Sequence, residues 1–346
     1  MTPTKIIVLD DDPTGSQTVH GCLLLTRWDV ATLREAIGDA SPLFFVLTNT
    51  RGTSADRAAA VTREVCHNLE LVLSDLDAAG KGVNPLLVSR SDSTLRGHYP
   101  VETDVIAEEL GPYDAHFLVP AFFEGGRITR DSTHYLMLDG RPVPVHETEF
   151  ARDSVFGYRH SYLPDYVEEK TAGRIRADQV QRFLLADVRG DSLDRLRGLR
   201  GNVCCVVDGE TQADLDHFAG QLRAAAAEGK RLLFRSGASL LTALAGLPPQ
   251  PVPAEAMRAY VRDGRAGAVV AGSHVNKTTQ QLAQLLQVPG TVAVEVGVDR
   301  IEPQREALLA EVTSRCELAH AAGKTPVVYT SRVERQFPDQ ASRLAF

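Results

Sequence analysis

Asp10, Asp11, Asp12, Pro13, Thr14 and Gly15 follow directly on the apolar run Ile6 to Leu9. Three adjacent carboxylates repel one another, which raises some of their pKa values and leaves the group in need of a cation, a proton or a substrate hydroxyl. Three more polar segments also follow apolar runs. They are Asn49-Thr50-Arg51-Gly52, then Arg90-Ser91-Asp92-Ser93-Thr94-Leu95-Arg96-Gly97, then Pro120 with Phe122-Phe123-Glu124-Gly125-Gly126-Arg127. Carboxylates orient hydroxyls, and Arg51, Arg90, Arg96 or Arg127 can fork onto a carboxylate, so together they suit a small hydroxylated anion. Each segment also has a plain structural reading. Asp-Pro-Thr-Gly makes an Asx turn, Ser93 and Thr94 can cap a helix, and single arginines are commonly solvated surface. The functional reading rests on all four segments leaving strands at one edge.

The elements that must position them alternate between short apolar runs and helical patterns, the signature of βαβ units. Strands are expected at Lys5 to Leu9, Cys22 to Thr26, Leu43 to Thr48, Leu86 to Ser89, His116 to Val119, Val203 to Val207, Leu232 to Phe234, Ala268 to Ala271, Val292 to Val296 and Pro326 to Tyr329. Several are apolar throughout, as strands covered on both faces should be. Ser54 to Ala79 is a helix by its N-cap, by Val61, Val65, Leu69, Val72 and Leu76 at helical spacing, and by Gly80 at its end. Thr211 to Glu228, Lys277 to Leu286 and Gln304 to Ala322 follow the same pattern. The polar stretch from Arg130 to Tyr166 reads as an irregular insertion or lid near the site. In a parallel sheet all four polar segments open on one edge, where α/β proteins place their ligands.

A chain of 346 residues exceeds one ordinary core, so two domains are expected. The run Gly246 to Pro253 carries four prolines and reads as a linker, dividing the chain into 1–245 and 254–346. The fold class is therefore α/β, two α/β domains with mainly parallel sheets. The second shows only three strands and is expected to be incomplete. A net charge of −8 without a long basic run argues against a nucleic-acid partner. Five cysteines without ligand spacing, the lack of an apolar signal core, and no apolar stretch near about 18–20 residues point to a cytoplasmic chain with no membrane partner. His20, His98 and His274 lack metal-ligand spacing and read as structural, and no metal site is expected.

In the second domain Gly272 and Ser273 follow an apolar strand and open a helix carrying Lys277, Thr278, Thr279 and Gln280. Free N–H groups and the helix dipole favour a phosphate there, although an ordinary strand-to-helix turn has the same pattern. Gly323-Lys324-Thr325 fails as a Walker A loop because position 318 is leucine, and no G-x-G-x-x-G follows a strand. Asp10-x-Asp12-x-Thr14 also satisfies the D-x-D-x-T pattern of haloacid-dehalogenase phosphatases. That chemistry needs a later acidic pair at a strand end, and the chain has no second Asp-Asp.

With these segments assembled, the chain resembles the four-carbon acid sugar kinase family. Asp11-Asp12-Pro13-Thr14-Gly15 is similar to its D-D-x-T-G loop, and Asp92-Ser93-Thr94-Leu95-Arg96-Gly97 to its D-S-T-L-R-G loop. Pro120-Ala121-Phe122 through Glu124, Gly126 and Arg127 is similar to its P-A-F-x-E-x-G-R loop, and Glu147 to Thr171 to its insertion. Gly272-Ser273 with Thr278 or Thr279 resembles its nucleotide loop. Arg90 stands where many relatives carry lysine. The family's second domain continues past Thr330-Ser331-Arg332 to a Gly-Gly-Asp-Thr-like loop absent from this sequence.

The resemblance implies an ATP- and Mg²⁺-dependent kinase acting on a tetronate or threonate, with a homo-oligomer left open. It implies substrate contacts from Arg51, Arg90, Ser91, Asp92, Ser93, Arg96, Glu124 and Arg127, with Arg51 and Arg96 on the carboxylate. Asp12 or Asp11 is the candidate base, Asp92 and Ser93 orient hydroxyls, and Gly272, Ser273 and Thr278 meet the nucleotide. A non-catalytic acid-sugar binding protein is the alternative.

Overall fold

The computed structural model describes residues 3–247, 253–261 and 263–346. It divides into two compact units, Met1–Pro249 and Gln250–Phe346. Most of the expected linker, residues 248–252, lies outside the described residues.

In chain order the strands of the first unit are β1 (Thr4–Asp10), β2 (Leu23–Leu25), β3 (Leu43–Leu47), β4 (Asn84–Arg90), β5 (Ala115–Val119), β6 (Arg127–Arg130), β7 (Thr133–Leu138), β8 (Arg141–Pro144), β9 (Gln181–Phe183), β10 (Val203–Val207) and β11 (Leu232–Ser236). Its helices are α1 (Val30–Gly38), α2 (Ala55–Ala78), α3 (Val101–Leu110), α4 (Leu163–Lys170), α5 (Leu185–Arg189), α6 (Leu193–Gly198), α7 (Gln212–Ala227) and α8 (Ala238–Ala245). Eight strands form one sheet in the order β2-β3-β1-β4-β11-β5-β10-β9, every neighbouring pair parallel.

The apolar runs are continuous because both faces are covered. On β1, Ile6 and Val8 join the core of α7 and α8, where Phe218, Leu222, Leu240 and Leu241 are buried. Ile7 and Leu9 join the opposite core with Leu33 of α1, Val65 and Leu69 of α2 and Ile106 of α3. Ser54 caps α2, its side chain accepting from the Arg57 amide.

The first part of the segment expected to be irregular is instead a three-stranded antiparallel sheet, β6-β7-β8, whereas residues 145–162 are the short 3₁₀ turns and loops expected. The sheet's two hairpins turn through Asp131-Ser132 and Asp139-Gly140, all four at positive φ, the requirement of two-residue primed turns. The buried Asp208 carboxylate accepts from the Asp131 and Ser132 amides, each at 2.8 Å. With α4 this sheet forms a third core of Leu136, Tyr158, Leu163, Tyr166 and Val167 packed on Leu118 and Val206. It is a buttress fused to the main sheet rather than a lid. Strand β9 escaped the sequence reading because three residues with one apolar member carry no period.

The second unit holds β12 (Val269–Ala271), β13 (Thr291–Val296) and β14 (Thr325–Thr330), parallel in the order β12-β14-β13, with α9 (Asn276–Leu285), α10 (Arg305–Ala321) and α11 (Gln340–Ala345). Leu282, Val294, Leu308, Ala319 and Val327 are among the buried apolar side chains of its described residues. All five cysteines are free, and among the described residues no helix is long and apolar enough to cross a membrane.

Phe117 on β5 sits centrally in the first unit's core, its ring 5.5 Å from Phe234, 5.9 Å from Phe183 and 6.4 Å from Phe218. Phe117→Ala is expected to cost about 3–5 kcal/mol in urea unfolding. A loss below about 1 kcal/mol would show that this cluster does not organise the core.

Candidate functional site

After β1 the chain crosses to β2 and β3 on one side, and after β4 it proceeds toward β5 on the other. The carboxyl ends of β1 and β4 are thus the point where connections diverge, which opens a crevice. Asp10 and Arg90 are not loop residues, as the sequence suggested, but the last, register-paired residues of these strands. Both side chains are buried. Burial pushes Asp10 up to about 7, opposed by Arg90 and reinforced by Asp11. The chain folds back over it at Gly15, where a Cβ would come 2.0 Å from Asp10 Oδ2, so only glycine fits.

Asp11, equally buried, is held by charge-assisted bonds. Arg51 donates from Nη2 to Oδ1 at 2.5 Å and from Nε to Oδ2 at 3.1 Å, and Ser91 Oγ donates to Oδ2 at 3.1 Å. Arg51 also donates from Nη1 to Asp12 Oδ2 at 3.2 Å. Asp12 keeps 27% of its side chain exposed, against 2% for Asp11. Burial works to raise Asp12, but Arg51 and the hydroxyl and amide of Thr14 outweigh it and hold the carboxyl below its ordinary value. Behind Asp11, Thr50 Oγ1 donates to the buried Glu102 Oε1 at 2.6 Å.

The segment from Ser91 to Gly97 is pinned carbonyl by carbonyl. His134 Nε2 donates to Ser93 O at 2.8 Å, Tyr158 Oη to Thr94 O at 2.7 Å, and Tyr166 Oη to Leu95 O at 2.8 Å. Arg96 O accepts from Arg235 Nη2 at 3.0 Å and lies 3.1 Å from Ser91 Oγ. Burial pushes His134 down to about 4, so the ring is neutral, with Nδ1 facing the Thr129 hydroxyl at 2.9 Å. No helix starts at Ser93 or Thr94, so the capping alternative does not apply; α3 begins at Val101. The largely buried Asp92 has Thr94 Oγ1 on its carboxylate and Arg96 Nε donating at 2.7 Å. Burial opposes its ionisation, yet Arg96 and Arg51 hold it well below the usual carboxylate range. Arg96 also lies 4.9 Å over the Phe150 ring and 3.7 Å from Asp153. Arg127 donates to Gly125 O at 2.6 Å and lies over Phe122. Arg90 and Arg127 make no ion pair with a carboxylate among the described residues. Glu124 is exposed in the turn Phe123–Gly125.

Residues 6–244 match the model of a sugar-binding N-terminal domain, and residues 268–346 that of a nucleotide-binding C-terminal domain. The chain belongs to the four-carbon acid sugar kinase family. A D-erythronate kinase of Heliobacterium modesticaldum is 28% identical over 332 residues, covering 92% of this chain and 68% of that protein. Two solved structures share the fold. One, a domain of unknown function from Bordetella bronchiseptica crystallised with citrate as a domain-swapped dimer, is 24% identical with a TM-score of 0.50, covering 98% of this chain and 77% of its own. The other, from Salmonella typhimurium LT2, is 20% identical with a TM-score of 0.56, covering 94% and 74%.

In the family's nucleotide-binding domain, Gly272 and Ser273 lie exposed between β12 and α9, and a Cβ at Gly272 would meet nothing. No side chain caps α9. Arg332 reaches back from the end of β14 to the Ser273 carbonyl and to Thr279 Oγ1 at 3.0 Å, while Thr278 Oγ1 is 3.4 Å from Ser273 Oγ. Open backbone amides at a helix start beside a guanidinium suit a phosphate. Among the described residues no cluster of three or more His, Cys, Asp or Glu could by itself hold a metal ion.

Sequence reasoning missed Glu102, His134, Tyr158, Tyr166 and Arg235. The one legible signal was Arg235, a cation directly after the apolar run Leu232 to Phe234.

Burial, with the Asp11 charge beside it, pushes Glu102 up to about 7 from an ordinary 4.5. Between these values the folded chain holds more protons than the unfolded one, so this group's contribution to stability falls as pH rises through that window. Glu102→Gln, which cannot ionise, is expected to melt higher than the unsubstituted protein at pH 8, by on the order of 2 kcal/mol, and far less so at pH 5. Thermal melts across that range check this, and a pH-independent difference contradicts it.

Proposed function

We propose that the chain transfers the γ-phosphoryl group of ATP to a hydroxyl of a small four-carbon sugar acid, a tetronate or threonate. The observation that carries this reading is the alternation of acids and guanidinium groups at the ends of β1 and β4: Arg51 between Asp11 and Asp12, and Arg96 on Asp92. A hydroxylated carboxylate needs this pairing of acceptors for its hydroxyls with a cation for its charge. The name of the D-erythronate kinase relative makes erythronate the first substrate to test.

Asp12, the more exposed of the two acids on Arg51, accepts the attacking hydroxyl's proton; Asp92 and Ser93 orient the other hydroxyls. Asp11 serves Asp12 indirectly by anchoring Arg51. The substrate carboxylate goes to Arg127, which makes no ion pair among the described residues, with Arg51 and Arg96 adding their remaining N–H groups. Arg90 balances the buried acids from beneath, Ser91 holds Asp11, and Glu124 stands at the rim. Phosphoryl transfer passes through a loose transition state, so alignment matters more than a strongly basic acceptor, and an ionised Asp12 suffices. Gly272, Ser273 and Thr278 meet the nucleotide phosphates. Mg²⁺ accompanying the nucleotide would be held chiefly by those phosphates, since the described residues offer no cluster of metal ligands, and would supply charge neutralisation at the transferring group. A D-x-D-x-T phosphatase reading fails sterically, because its nucleophile position, Asp10, is wholly buried under Gly15.

Asp12→Asn and Asp92→Asn should each lower kcat/KM for ATP-dependent phosphorylation of erythronate or threonate by about 10²-fold or more. Arg127→Ala should raise the sugar-acid KM about 10- to 100-fold with little effect on the ATP KM. Near-normal turnover in both aspartate variants would sink the assignment. Calorimetry separates an enzyme, which binds nucleotide and sugar acid, from a binding protein that takes the sugar acid alone.

A further inference from the structure

We infer that Arg235 on β11 is a positioning residue that sets sugar-acid affinity by acting through Ser91 and the Arg96 carbonyl. This rests on the sugar-acid kinase reading above. Arg235 is 2% exposed, yet no carboxylate lies within 4.0 Å of its guanidinium among the described residues. A buried cation is costly unless its donors are used, and a fold gains little by keeping one for packing alone. Its Nη2 is committed to two acceptors, Ser91 Oγ at 3.1 Å and Arg96 O at 3.0 Å, and its guanidinium lies 5.2 Å over the Tyr99 ring.

The consequence is directional. With a lone pair of Oγ occupied by Arg235, the Ser91 hydroxyl must aim its proton at another acceptor. The choices are Arg96 O and Asp11 Oδ2, both at 3.1 Å. Arg96 O already receives Arg235, and the Asp11 carboxylate, forked onto Arg51, is the stronger acceptor, so the proton goes to Asp11. A relay of donors thus runs from Arg235 through Ser91 to Asp11, whose other partner is Arg51, and Arg51 in turn holds Asp12.

Gly97 lies directly over this junction. A Cβ there would come 2.4 Å from Ser91 Oγ, 3.0 Å from Asp11 Oδ2 and 3.7 Å from Arg235 Nη2, at a φ of +111°. Arg235 therefore fixes the spacing between the loop carrying Asp12 and the loop carrying Asp92 and Arg96 without itself reaching the crevice. Loss of it should loosen sugar-acid binding and leave nucleotide binding alone.

The test is a double-mutant cycle on the full chain with Arg235→Met, Ser91→Ala and the double variant, read as KM for sugar acid and for ATP, with Arg235→Lys as the conservative variant. The expected result is a sugar-acid KM raised about tenfold or more in Arg235→Met, partial recovery in Arg235→Lys, an unchanged ATP KM, and strong non-additivity with Ser91→Ala. Additive effects, or an unchanged sugar-acid KM in a folded variant, overturn the inference. If Arg235→Met does not fold, the cycle is run with Arg235→Lys under the same criteria. Amide hydrogen exchange in residues 91–97, read without substrate, should accelerate in the Arg235 variants and stay unchanged in α9. A wild-type chain that turns over no sugar acid overturns the functional reading instead, and exchange at 91–97 then decides the positioning role.

Discussion

The substrate unit is organised around the burial of like charge at the end of one strand. Asp10 and Asp11 are both out of water, Asp12 partly so, and a carboxylate in that position must be neutralised by a proton or matched by cations. The protein resolves the three acids in three different ways. Asp10 is pushed toward its protonated form beneath Gly15, Asp11 is clasped by Arg51 and Ser91, and Asp12 stays ionised at the crevice. Adjacent identical residues acquire different chemistry because the strand's pleat and the turn after it direct them to different surroundings.

That solution requires the neighbouring loops to stay where they are. Ser91 to Gly97 has no regular secondary structure, so its carbonyls lack the partners that a helix or strand would provide. His134, Tyr158, Tyr166 and Arg235 supply them, and three of the four come from the stretch from β7 through α4. The small antiparallel sheet, the turn carrying Tyr158 and α4 therefore hold this loop from outside, so that it presents Asp92 and Arg96 already paired. A surface ordered in advance need not spend substrate binding energy on ordering itself.

The two halves of the chain offer different kinds of charge recognition. The sugar-binding unit presents side-chain ion pairs at the edge of a large, doubly covered sheet. The nucleotide-binding unit offers backbone amides at the start of α9, with Arg332 holding the Gly272-Ser273 turn from just beyond the neighbouring strand β14. The first is suited to a ligand with several stereochemically distinct hydroxyls, the second to a phosphate, which is nearly symmetric and asks only for positive potential.

Local sequence determined a good deal. Apolar runs bounded by turn residues identified most strands, since a strand buried on both faces has to be apolar throughout. Periodicity, Ser54 and Gly80 bounded α2 to within a residue, and the acidic turn after β1, with the D-S-T-L-R-G segment after β4, already pointed to a hydroxylated anion. Other features were beyond a one-dimensional reading. The Asp139-Gly140 hairpin signal was legible, but the Asp208 carboxylate that closes the companion turn lies 76 residues from Ser132. That Arg51 serves Asp11 and Asp12, that β11 inserts between β4 and β5, and that Arg235 reaches Ser91 across 144 residues followed only from strand order. Which group of a chemically competent set is buried, paired or free depends on long-range neighbours, and their electrostatics act through space rather than along the chain.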